Sequence, residues 1–75
     1  MDYVDRLKML REDHDLSQSQ VAEILKCKQS AVSKYERRVV PYSVENVVKL
    51  CEFYQVSADY VFGLPEGMPY PRYKK

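Results

Sequence analysis

Gln29, Ser30, Ser33 and Lys34 are the residues whose types and spacing carry the most chemistry in this chain of 75 residues. A glutamine amide holds a donor beside an acceptor and can pair with adenine N6 and N7. Serine bonds to several bases, and lysine donates to guanine O6 or N7. On a helix, positions 29 and 33 share one strip, with 30 and 34 beside them, so the four side chains form one outward polar face. Lys28, Arg37 and Arg38 flank that face and suit phosphate oxygens better than base edges. Lys26 is a further cation nearby. Ala31 either presents its methyl to a thymine methyl or simply allows close approach. Every amphipathic surface helix has a polar exterior, so the surrounding elements must decide between a reading face and a solvated one.

Charge distribution favours the reading face. The chain carries a net charge of +1, which alone says nothing for nucleic acid. Residues 26–40 nevertheless hold five basic groups (Lys26, Lys28, Lys34, Arg37, Arg38) against Glu36, whereas residues 1–25 hold three basic and six acidic. A concentrated cationic patch attracts phosphates more than the total charge implies.

Hydrophobic periodicity places five helices and no strand. The first runs from Tyr3 to Asp13 behind an Asp2 cap, with Val4, Leu7, Leu10 and Met9 as its apolar stripe. Leu16 packs back into the core. Ser17 and Gln20 form a capping box that opens the second helix, Gln18 to Leu25, whose Val21, Ile24 and Leu25 face inward, with Ala22 beside them. The third helix spans Gln29 to Arg37, with Val32 and Tyr35 inward. A loop with Pro41 follows. Ser43 caps the fourth helix, which runs to Tyr54 with Val44, Val47, Val48, Cys51 and Tyr54 in helical period and Leu50 beside them. Ser57 and Gly63 bound a last helix, Ala58 to Phe62. The second and third helices, joined by a tight turn, have the build of a unit that lays one helix into the major groove of DNA.

Residues 1–63 therefore form one small domain. Pro65, Gly67, Pro69 and Pro71 forbid regular helix in residues 64–75, which read as an extended or disordered tail. Tyr35, Phe53, Tyr54, Tyr60 and Phe62 fall at core or core-edge positions, so packing explains them better than stacking on a ligand. Tyr70 and Tyr73, with Arg72, Lys74 and Lys75, are free to grip a partner chain or a phosphate, or do nothing. His14, between Asp13 and Asp15 at a helix end, reads as a charge-paired terminus rather than a catalyst. Cys27 and Cys51 read as small apolar side chains of a cytoplasmic protein, without the spacing of a metal site and with nothing to support a disulfide. No nucleophile–base–orienter set and no glycine-rich phosphate loop occurs, so neither an enzyme nor a cofactor is expected. No apolar run spans a bilayer and no signal peptide opens the chain, which makes the cytoplasm the default.

Four stretches together resemble the Cro/CI-type (lambda-repressor-like, XRE-type) helix-turn-helix family. They are Arg6-Leu7-Lys8-Met9-Leu10-Arg11-Glu12, Leu16-Ser17-Gln18-Ser19-Gln20-Val21-Ala22, Ala31-Val32-Ser33-Lys34-Tyr35-Glu36-Arg37 and Val56-Ser57-Ala58-Asp59-Tyr60-Val61-Phe62-Gly63. The resemblance covers about residues 6–63. It implies an all-α, compact five-helix bundle and sequence-specific binding of double-stranded operator DNA by a transcriptional regulator, usually a homodimer. It implies that Gln18 contacts a phosphate and braces the first residue of the recognition helix. It also implies an ion pair between Arg11 and Glu36. The family prefers glycine where this chain has Lys26 and Arg38, and a serine or threonine cap where it has Lys28; both departures leave the loop geometry and the third helix start open. The last two helices, and the tail with them, are the expected dimer surface. A second reading is a protein-interaction module, an antitoxin-like partner or adaptor, with DNA binding secondary or lost.

Overall fold

The computed structural model describes residues 1–64, and the aromatic and basic residues of the expected tail lie outside them. Five helices follow in chain order: α1 (Tyr3–Asp13), α2 (Gln18–Leu25), α3 (Gln29–Glu36), α4 (Val44–Tyr54) and α5 (Ala58–Phe62). The third stops one residue before the sequence reading placed its end, because Arg37 is already its C-cap.

Helix starts follow side-chain chemistry. The Asp2 carboxylate accepts from the Asp5 N–H at 3.0 Å and the Asp5 carboxylate accepts in return from Asp2 N–H. Ser17 and Gln20 make the same reciprocal pair, at 3.1 and 2.7 Å. Ser43 and Ser57 each accept one N–H of the following turn. Each such cap contributes about 1 kcal/mol. Lys28 makes no side-chain cap at the start of α3.

Helix ends share one turn. A residue with positive φ follows each helix, and the next N–H reaches back five residues: Leu16 to Arg11, Cys27 to Ala22, Val39 to Lys34, Val56 to Cys51 and Leu64 to Asp59. The left-handed residues are Asp15, Lys26, Arg38, Gln55 and Gly63. Only the last is glycine. A side chain in that region strains the backbone by roughly 1 kcal/mol, so Lys26→Gly is expected to raise stability by up to about 1 kcal/mol. Urea denaturation of the two proteins checks this, and an unchanged midpoint would count against strain at Lys26.

The core lies between all five helices. Leu7, Val32, Leu50 and Val61 are its most enclosed large side chains, and Val4, Leu10, Val21, Ala22, Leu25, Val47, Cys51 and Tyr54 surround them. Leu16, Ile24 and Tyr35 pack against it partly buried. Six expected core or core-edge positions are exposed instead: Met9 (39%), Val44 (81%), Val48 (48%), Phe53 (49%), Tyr60 (39%) and Phe62 (48%). The buried strip of α4 is Val47, Leu50, Cys51 and Tyr54, at i, i+3, i+4 and i+7. Val48 lies about 100° off that strip, and Val44 occupies the first helical position. Phe62 lies beside Tyr3, and Arg6 stacks over the Tyr60 ring at 5.2 Å.

Tyr42, in the α3–α4 loop, is buried. Its ring stacks on Tyr35 at 4.5 Å and meets the edge of Tyr3 at 6.1 Å, which pins the loop after α3 against α1. Burial pushes its phenol well above the ordinary tyrosine range. His14 caps α1 through Nδ1 and the Leu10 carbonyl at 2.8 Å, and its ring lies 4.8 Å from that of Tyr54.

Candidate nucleic-acid interface

Val32 anchors α3. It is fully buried on the inner side of the helix, against the α2 face that carries Val21, Ala22 and Leu25. With that strip turned inward, Lys28, Gln29, Ser30 and Lys34 are left exposed and Ser33 half-buried. The turn through Lys26 and Cys27 sets the approach of the two helices. Cys27 N–H closes on the Ala22 carbonyl at 2.9 Å, so three residues suffice to reverse the chain.

A continuous polar chain runs from α1 to the first residue of α3. Arg11 Nε and Nη2 donate to the Glu36 carboxylate at 2.7 and 3.1 Å. Arg11 Nη1 donates to the Leu16 carbonyl at 2.9 Å. Gln18 Nε2 donates to Glu36 Oε1 at 2.9 Å, and Gln29 Nε2 donates to Gln18 Oε1 at 3.1 Å. The Glu36 and Arg11 side chains are only 5% and 14% exposed, which separates this pair from an ordinary surface salt bridge. Hydrogen bonding to Glu36 raises the Arg11 guanidinium pKa further, against the opposing effect of burial. The ion pair implied by the family resemblance is thus present, and so is the brace of Gln18 on Gln29.

The cations behave differently from one another. Lys28 and Lys34 project freely from α3. Arg37 Nε donates back to Ser33 Oγ at 3.2 Å, one turn earlier. Arg38 is held: Nη2 lies 2.9 Å from Asp2 and 2.8 Å from Asp5, with Nε 3.1 Å from Asp2. All three side chains are about half exposed. The hydrogen bonds from Arg38 lower both carboxyl pKa values, that of Asp2 to about 2. The contribution of the Asp2 contact is therefore complete above the ordinary value of 3.8 and disappears as the pH falls through about 2. Sequence reasoning had no access to these two acceptors, which lie 36 and 33 residues from Arg38. It also passed over Val40, which reaches the α3 face because the positive φ of Arg38 folds the chain back on Lys34.

The sequence profile of the helix-turn-helix family matches residues 7–61, most of the chain. The chain belongs to the helix-turn-helix family. The helix-turn-helix unit proper is α2 and α3 with the turn through Lys26. The chain is also similar to the uncharacterized HTH-type transcriptional regulator YobD of Bacillus subtilis (strain 168), with 33% identity over 73 residues. That alignment takes in 97% of this chain and 64% of the relative, so the chain spans somewhat less than two thirds of the relative's length. No solved structure matches it significantly. Among the described residues of the helix-turn-helix domain, no helix is long and apolar enough to cross a membrane.

Proposed function

We propose that this helix-turn-helix protein is a cytoplasmic transcriptional regulator that binds double-stranded operator DNA by inserting α3 in the major groove. The observation that carries the reading is the braced state of Gln29. One of its amide hydrogens is engaged by Gln18. The remaining N–H and the carbonyl oxygen are the donor and acceptor that adenine N7 and N6 require. Holding the amide in place before DNA arrives lowers the ordering penalty of the contact. Ser30, Ser33 and Lys34 complete the base-reading set, while Gln18, Lys28, Arg37 and Arg38 serve the phosphates on either side.

A homodimer fits the reading. Two copies of α3 would then enter the groove about one turn apart, ~34 Å. The exposed Val44 and Val48 of α4 and Phe62 of α5 supply apolar surface for that contact or for another protein partner.

The test is a set of duplexes differing at single base pairs. Gln29→Ala is expected to lose about 1–3 kcal/mol of discrimination at one position of each half-site. Lys28→Ala should weaken every duplex alike. Equal losses on specific and random DNA for Gln29→Ala would remove it from the base-reading set. A protein that ignores all duplexes in dilute buffer would leave the interaction-module reading in its place.

A further inference from the structure

Of the cations assigned to the phosphates, Arg38 alone is paired with carboxylates among the described residues. Its Nε and Nη2 meet the two carboxylate oxygens of Asp2 at 3.1 and 2.9 Å, and Nη2 also meets Asp5 at 2.8 Å. That is the forked edge with which a guanidinium grips a phosphate. We propose that Asp2 and Asp5 stand, in the free protein, where a DNA phosphate stands in the complex, so that Arg38 exchanges partners on binding and the two carboxylates restrain affinity for duplex DNA. The inference rests on the DNA-binding reading above.

The pair is built to be exchanged. All three side chains are about half exposed, so a competing anion can reach them. Pairs of that kind are weak and screened by salt. The enclosed pair of Arg11 and Glu36 offers no such access. Departure of the guanidinium also leaves α1 intact, because Asp2 and Asp5 still accept each other's backbone N–H, at 3.0 and 3.4 Å. Nor does the loop depend on the pair. Tyr42 pins it by stacking on Tyr35 and meeting Tyr3, and the Arg38 and Val39 N–H groups close on the Tyr35 and Lys34 carbonyls at 3.1 and 2.9 Å. The Arg38 backbone is thus fixed at the end of α3 while its side chain can turn. A hollow of about 240 Å³ opens beside the pair, with Tyr3, Tyr35, Val40 and Pro41 in its walls, and gives the guanidinium room to do so.

Each phosphate met by a cation releases counterions from the duplex, a gain that the carboxylates do not offer. The exchange is therefore favoured at low salt, yet every binding event gives up the contacts to Asp2 and Asp5. Phosphates occur in every sequence, so the restraint acts on the sequence-independent part of binding and leaves the base readout of α3 untouched.

The experiment measures random-duplex affinity of the full chain for the parent, for Asp2→Asn with Asp5→Asn, for Arg38→Gln and for all three changes together. The amides still accept the capping N–H groups, and melting curves check that the domain is intact. Should the double change melt early, Asp2→Asn alone carries the test with a smaller gain. The double change should tighten binding roughly tenfold. In the Arg38→Gln background the same change should bring roughly twofold or less, since no guanidinium remains to be released. The salt slope should be alike in parent and double variant, at about −5.4, because Arg38 reaches a phosphate in both. A gain that survives in full without Arg38 is plain charge repulsion and overturns the proposal. So does an unchanged affinity. A slope steeper by about 1.8 in the double variant leaves Arg38 on its carboxylates in the parent complex, and overturns it too. Binding by none of the four proteins to any duplex in dilute buffer overturns the DNA-binding reading itself, and the exchange with it.

Discussion

Glu36→Ala is expected to destabilise the domain by about 3–5 kcal/mol. The carboxylate is almost wholly enclosed and accepts three hydrogen bonds, two from Arg11 and one from Gln18. Its removal leaves the Arg11 guanidinium largely buried with only the Leu16 carbonyl as partner. An uncompensated charge in that position costs more than the intact pair contributed. A domain of this size holds only a few kcal/mol in total, so much of the population should be unfolded at room temperature. Glu36→Gln keeps the shape and an acceptor for Arg11 while removing the negative charge, and should fall between the two. Urea or thermal denaturation reads both. An alanine variant that melts with the parent would show that the pair is not needed for the fold.

Affinity for random duplex DNA should fall steeply with salt. In the proposed dimer, Lys28, Arg37 and Arg38 of each subunit are the cations assigned to the phosphates. Six contacts in a dimer, at about 0.9 log unit each, give a slope near −5.4. Raising salt from about 50 to about 200 mM should then weaken binding roughly two-thousand-fold. Arg38 makes the slope diagnostic, because two carboxylates already hold its guanidinium. If it stays with Asp2 and Asp5, four contacts remain, the slope flattens to near −3.6, and the loss is roughly a hundred-fold. Fluorescence anisotropy across a salt series distinguishes the two slopes, and a response flat in salt would refute groove binding.

The helix starts were the most legible part of the fold, because they depend on local chemistry. Asp2, Ser17, Ser43 and Ser57 each accept a backbone N–H within three residues, and a sequence displays that directly. The ends were less open to reading. Asp15, Lys26, Arg38 and Gln55 adopt a conformation for which glycine is the usual signal, and only Gly63 carried it. Periodicity identified the inward strips of α2 and α3. It overextended those of α1 and α4: Met9 and Val48 point away from the buried strips of their helices, and Val44, in the first helical turn, is exposed. Tyr42 was invisible because its burial comes from stacking on Tyr35 and Tyr3, not from any helix of its own. At the candidate site, residue types marked the α3 face and the family resemblance supplied Glu36 and the Gln18 brace. The grip of Asp2 and Asp5 on Arg38 and the return of Val40 to α3 exist only once the chain is folded.

The missing cap on α3 bears on how the molecule meets its target. The other four helices begin under a side-chain acceptor, whereas the opening N–H groups of α3 are left to solvent above Lys28. Its far end is clamped by Glu36 and by the turn at Arg38. The bond from Gln29 Nε2 to Gln18 is then the side-chain contact that steadies the opening turn, so amide protons of that turn should exchange with heavy water sooner in Gln18→Ala than in the parent. The leading edge of α3 thus takes its order from a neighbouring helix, where the other four carry a cap of their own.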